Sequence, residues 1–220
     1  MMTFANKVGF KTARSGQSML EALVAIGIIM TSVSSALTLI SSSIGAEKES
    51  ENSIVAVNLA REAVEVARNI RDSDWLAGRA FDDGLVGAGL DYTAAPAFSA
   101  STNSWSMLFA PNLITDDGAI VWRHTGGVGG PTVGLFVQAA IQPDSSVRTI
   151  FRRLVTLDAV CEDNAADPTN DADPTNDPIK ISGQQCVTKK KAIRVRATVQ
   201  WNAGGNSHQV TAQENLYDWR

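Results

Sequence analysis

MLEALVAIGIIMTSVSSALTLISSSI, residues 19–44, decides how the rest of the chain is read. Glu21 is its one charge, and the uncharged run that follows extends over 25 residues, Ala22 to Ala46. At 1.5 Å rise per residue, about 20 helical residues cross the roughly 30 Å hydrocarbon core of a bilayer. The first half, Leu20 to Met30, is strongly apolar. The second is diluted by Thr31, Ser32, Ser34, Ser35, Thr38, Ser41, Ser42 and Ser43. Hydroxyls can bond back to helical carbonyls, which weakens insertion without forbidding it.

Every charge before Glu21 is positive: Lys7, Lys11 and Arg14. Cations on that side place residues 1–16 in the cytoplasm and the body of the chain outside. The 220 residues carry a net charge of −4; without residues 1–16 they carry 16 basic and 23 acidic side chains, net −7. The chain is thus a short basic leader, an apolar segment and an acidic body. Near-neutral mean hydropathy excludes a polytopic membrane protein. Low charge with plentiful Val, Ile, Leu and Trp argues against global disorder. Seventeen glycines without a three-residue period exclude collagen. A net negative charge does not suggest a dedicated nucleic-acid binder.

A secretory signal would have a shorter apolar core before a small-residue cleavage site, for which Ser43-Ile44-Gly45 before Ala46 could serve. A plain anchor suits the length. Neither accounts for Glu21, because an ionisable group one turn inside an apolar segment is costly and usually has a partner. Gly16-Gln17-Ser18-Met19-Leu20-Glu21, followed by ALVAIGII, closely resembles the processing site of type IV prepilins and type II secretion pseudopilins. The resemblance implies that a prepilin peptidase cuts between Gly16 and Gln17 and methylates the new amine. It also implies that Glu21 attracts the amine of a neighbouring subunit during filament assembly. Gln17 is a departure, since the family most often has Phe there. The partners implied are other pilin subunits, the prepilin peptidase, inner-membrane assembly machinery, and membrane lipid before assembly. No cofactor or metal is implied.

Residues 47–77 contain no Pro and no Gly and favour helix. Val55, Leu59, Ala63, Val66 and Ile70 form one apolar stripe, with Arg61 and Glu65 as an i, i+4 pair on a more polar side. Gly45 need not end the helix. Continuous from Gln17 to Asp72, it would be about 84 Å long. LAREAVEVARNIRDSDWL, residues 59–76, also resembles stretches of minor-pilin-like proteins. Residues 78–133 read as loop held by scattered aromatics, with a short strand at Ala119–Arg123; in pilins the corresponding region is variable and exposed.

Strand signals follow. Leu135, Val137, Ala139 and Ile141 alternate with Phe136, Gln138, Ala140 and Gln142. Val147–Cys161 is a β-branched run. Ile193, Val195, Ala197, Val199 and Trp201 alternate with Arg194, Arg196, Thr198 and Gln200, and a turn at Asn202–Asn206 returns Ser207–Tyr217 as a hairpin partner. The expected fold is α+β: a long N-terminal helix packed on an antiparallel sheet of about four strands. Its organisation is leader 1–16, membrane or filament-core helix 17–46, amphipathic helix 47–77, loop region 78–133 and sheet 134–220 with an acidic loop at 161–186. That matches the pilin fold the resemblance implies.

Cys161 and Cys186 flank 24 residues. An even count in an exported chain favours a disulfide over two buried thiols, and many pilins carry a C-terminal disulfide. Between them ADPTND occurs twice in tandem, 166–171 and 172–177. Such a loop could hold Ca²⁺, but it lacks the EF-hand's central Gly and terminal Glu, so a solvated loop is the preferred reading. Lys189, Lys190, Lys191, Arg194 and Arg196 are the one basic concentration. Some minor pilins bind DNA, so nucleic acid would be sought there. Without interleaved aromatics, a solvated face with lysines protecting a sheet edge is favoured. His124 and His208 belong to no HExxH, Gly126–Gly130 lacks the GK[ST] of a phosphate loop, and GxSxG and CxxC are absent. A structural subunit, not an enzyme, is the expectation: a minor pilin or pseudopilin. The alternative is a membrane-anchored extracytoplasmic binding domain.

Overall fold

A computed structural model describes residues 17–86, 92–99, 102–109, 113–126, 134–161, 179–180, 186 and 189–218. The chain divides into two compact units, Met1–Ser50 and Glu51–Arg220. The described part of the first unit is helix alone and belongs to α1 (Gln17–Leu76), which is continuous through Gly45. The leader, Gly16 included, lies outside the described residues.

In the second unit α1 packs on an antiparallel sheet. Ala56, Leu59, Ala60, Ala63, Val66, Ala67 and Ile70 are buried, a wider stripe than the five positions expected. Four of these are alanines, which keep the helix close to the strands beneath. Glu65 pairs with Arg68 at 2.5 Å and not with Arg61. The helix ends at a glycine with φ +72°, Gly78. The Gly78 amide donates to the Trp75 carbonyl at 3.0 Å and the Arg79 amide to that of Asp74 at 2.9 Å, the bonding of a Schellman cap.

Among the described residues the sheet has eight strands, not about four. They are β1 (Thr93–Ser99), β2 (Ser104–Leu108), β3 (Ile120–His124), β4 (Phe136–Gln138), β5 (Ser146–Cys161), β6 (Ile179–Lys180), β7 (Lys190–Ala203) and β8 (Asn206–Tyr217). β5 is central. One edge pairs with β7, which pairs with β8; the other pairs in turn with β3, β1 and β6. β1 and β2 form a hairpin inside the region expected to be loop. β1 reads TAAPAFS, which is small residues and a proline rather than a β-branched run. Pro96 falls beyond the two residues through which β1 joins β5, where no ladder bond needs its missing N–H.

The β7–β8 hairpin matches expectation. Ala203 faces Asn206 across Gly204 and Gly205, both at positive φ, as a type I′ turn requires. Phe151, Val155 and Leu157 of β5 and Val195, Ala197, Val199 and Trp201 of β7 meet the helix alanines in one core.

β4 departs from expectation. Its apolar set is not the buried one: Ile141 is 82% exposed and follows the strand, whereas Gln138 is 7% exposed. The cause lies on β5. Arg153 falls on the apolar parity of that strand, and Gln138 turns inward to meet it.

Candidate functional site

α1 holds the first set of residues singled out in the sequence. All of residues 18–44 are exposed within the chain, and one 18-residue window has a mean hydropathy of 2.2, long and apolar enough to cross a membrane. Five of the eight hydroxyls after Met30 bond back to carbonyls of the preceding turn: Thr31, Ser32, Ser35, Thr38 and Ser42, at 2.7–3.1 Å. Those groups are satisfied without water, so this half of the helix tolerates an apolar setting. Gln17 opens α1, and Glu21 follows one turn later. Glu21 makes no ion pair among the described residues, and its side chain lies on an exposed, otherwise apolar stretch of helix.

Arg153 is the centre of the second unit. It is fully buried; its Nε donates to Gln138 Oε1 at 2.6 Å and its Nη1 to the Leu59 carbonyl at 2.9 Å, with Glu62 at 3.5 Å. Gln138 Nε2 donates to the Arg153 carbonyl at 2.8 Å. Burial pulls the guanidinium below its ordinary pKa, and the nearby Glu62 opposes that shift. These groups tie α1 to β5 and β4. Sequence reading missed them, although a signal was present: Phe151, Arg153, Val155 and Leu157 share one face, so an arginine there must be buried and paired.

The basic cluster is divided. Arg194 and Arg196 do share the face opposite Trp201, but both point at Asp158, at 3.3 and 3.6 Å. Asp158 is 1% exposed and Arg194 is itself mostly covered. Lys190 Nζ lies 2.5 Å from Asp82, while Lys189 and Lys191 are exposed. Three of the five cations are therefore held by carboxylates and face no free anion site. The lysines lie at the start of β7, where Lys190 pairs with Cys161 of β5 and the register with β8 begins only at Ala192.

No family model matches the chain, and no curated protein or solved structure is significantly similar to it.

The remaining sites follow from local chemistry. His124 Nδ1 accepts the Gly126 amide at 3.1 Å, and His208 stacks on Trp201 at 5.4 Å between centroids. Among the described residues no cluster of His, Cys, Asp or Glu could hold a metal ion. The tandem ADPTND loop lies outside the described residues. A groove of about 380 Å³ beside α1 is lined by Phe98, Trp105, Leu135, Phe136 and Val137, with Glu62 as its carboxylate.

Cys161 and Cys186 form a disulfide. It closes a loop with a sequence separation of 25 at the far end of β5. Replacing both cysteines by serine should lower the unfolding free energy by roughly 3–4 kcal/mol through the entropy returned to the unfolded chain. Urea melts of the full chain in mild detergent would read this; a change below about 1 kcal/mol would show that the bridge constrains little.

Proposed function

We propose that this chain is a structural subunit of a type IV pilus-like filament, a minor pilin or pseudopilin. It waits in the cytoplasmic membrane with residues 1–16 inside and the sheet unit outside. A prepilin peptidase cuts between Gly16 and Gln17, and the mature chain joins other pilin subunits through α1. The observation that carries this reading is Glu21: a carboxylate on an apolar helix surface, four residues after the implied new N-terminus, with no cation among the described residues. A carboxylate and an ammonium each cost several kcal/mol when buried alone and much less as a pair. Gln17 and Glu21 are about 6 Å apart along the helix axis, so an axial shift between neighbours brings opposite charges together.

The sheet unit then provides the displayed surface, with chemistry confined to packing. The filament either displays that surface, as a pilus does, or moves cargo, as a secretion pseudopilus does; genomic neighbourhood separates the two. Intact-mass measurement of the chain extracted from its native membrane tests the class. The expected species begins at a methylated Gln17. A species retaining residues 1–16 would overturn the proposal and leave a membrane-anchored extracytoplasmic binding domain.

A further inference from the structure

β8 is a long sheet edge without the usual protection. It runs for 12 residues, NSHQVTAQENLY, and among the described residues β7 is the one strand that pairs with it. Exposed edges are normally blunted by lysine, proline, a bulge or short length. β8 has no Lys, Pro or Gly, its one inward-facing charge, Glu214, is neutralised by Arg68 of α1, and its register with β7 is unbroken from Ala192↔Tyr217 to Ala203↔Asn206. The other edge strands among the described residues, β2, β4 and β6, have five, three and two residues.

The hairpin fixes which backbone groups face outward. Ala203 and Asn206 close a two-residue turn and form a hydrogen-bonded pair, and such pairs alternate along an antiparallel ladder. The even-numbered residues of β8 therefore bond to β7. Ser207, Gln209, Thr211, Gln213 and Asn215 direct their N–H and C=O groups away from the sheet. Their side chains are uncharged, and they occupy the face opposite the core.

We propose that this edge pairs with β8 of a second copy of the chain, antiparallel and centred on Thr211. In that register Thr211 faces Thr211, Gln209 faces Gln213, and Ser207 faces Asn215. On the helix-side face Val210 meets Ala212, and Glu214, the one acidic residue of the strand, is already paired with Arg68 of its own α1, so it brings no uncompensated charge to the contact. No like charges oppose each other, and between Ser207 and Asn215 polar residues face polar ones while Val210 faces Ala212; only the ends, Asn206 opposite Leu216, pair out of kind. Shifting the pairing by two residues, which keeps the backbone bonds, takes Thr211 off the two-fold axis and in one direction sets the Glu214 carboxylate against Val210. The contact is two-fold and closes on itself, unlike the head-to-tail contacts that propagate a filament. It belongs to a dimer outside any filament, and it does not depend on the filament reading.

Cysteine placement in the full chain, purified in detergent, tests the register. In the proposed pair the Thr211 Cα atoms are about 5.5 Å apart, within disulfide reach, whereas the Gln213 Cα atoms are about 14 Å apart. Under mild oxidation Thr211→Cys should form covalent dimer at least about tenfold faster than Gln213→Cys. Equal rates would overturn the proposal, because they would reflect random collision or association through α1 alone. Thr211→Lys sets two cations against each other at an exposed position that the monomer tolerates. It should shift the sedimenting species from dimer toward monomer, and an unchanged dimer mass, or a wild-type chain that is already monomeric, would equally refute it.

Discussion

Replacing Arg153 by alanine is expected to lower the unfolding free energy by about 3–5 kcal/mol, the largest loss from any single side chain of the sheet unit. The substitution does more than delete a charge. It strands Gln138 Oε1 in a buried site, removes the extra donor on the Leu59 carbonyl, and leaves a void where a full-length side chain was wholly enclosed. Glu62 is partly exposed and re-solvates more cheaply. Arg153→Met should cost about half as much, because it refills most of the volume while the polar groups stay unmatched. Urea unfolding of the full chain in mild detergent, followed by circular dichroism, gives both numbers. An alanine variant within about 1 kcal/mol of the wild type would mean that the Arg153–Gln138 pair contributes no net stability.

Glu21→Ala should leave cleavage after Gly16 largely intact and reduce incorporation into filaments on the order of 100-fold or more. That factor follows from the roughly 3–5 kcal/mol lost when one member of a buried ion pair is removed and the other remains. The loss falls on assembly alone. In the membrane Glu21 is a liability, since a carboxylate in the hydrocarbon region costs up to about 3 kcal/mol, so the variant should sit in the bilayer at least as well. Glu21→Gln should behave like alanine, because shape is preserved and only the charge is lost. Comparing the sheared-filament fraction with the membrane fraction by immunoblot separates cleavage from incorporation. Wild-type incorporation by either variant would refute the pairing of Glu21 with a neighbouring amine.

How far each feature could be read from the residues depended on how it is encoded. Glu21 stands out because an uncharged run makes one carboxylate conspicuous, and the Leu59–Ile70 stripe and the alternation of Ile193–Trp201 repeat a period long enough to be unambiguous. β1 was hidden because its residues were chosen by space. Ala94 and Ala95 are buried where little room remains, and a strand of alanines has no period-two contrast. β4 misled because its alternation was real but its polar member pointed inward. Gln138 is legible only through Arg153, and Arg153 only once β5 is known to be a strand with Val155 and Leu157 on its buried face. Pairings across distant segments are invisible to any local window, which is why the buried network was found in space and not in sequence. Asp158, with both arginines of β7 directed at it, is a second case: the sequence displays five cations within residues 189–196 and conceals the carboxylate that occupies two of them.

The back-bonded hydroxyls of α1 have a consequence for traffic between phases. Thr31, Ser32, Ser35, Thr38 and Ser42 carry their acceptors with them, on the same helix and within one turn. When such a helix leaves lipid for a protein neighbour, none of these five hydroxyls needs to change partner, and their contribution to the free energy of transfer reduces to a difference in dispersion and chain packing between two oily surroundings. An all-leucine helix would be held more tightly by lipid, and one with unsatisfied hydroxyls would seize the first polar group it met. This segment sits between those extremes: in the passage from lipid to a neighbour proposed above, its back-bonded hydroxyls add little to the free energy of transfer, and the balance is left to Glu21.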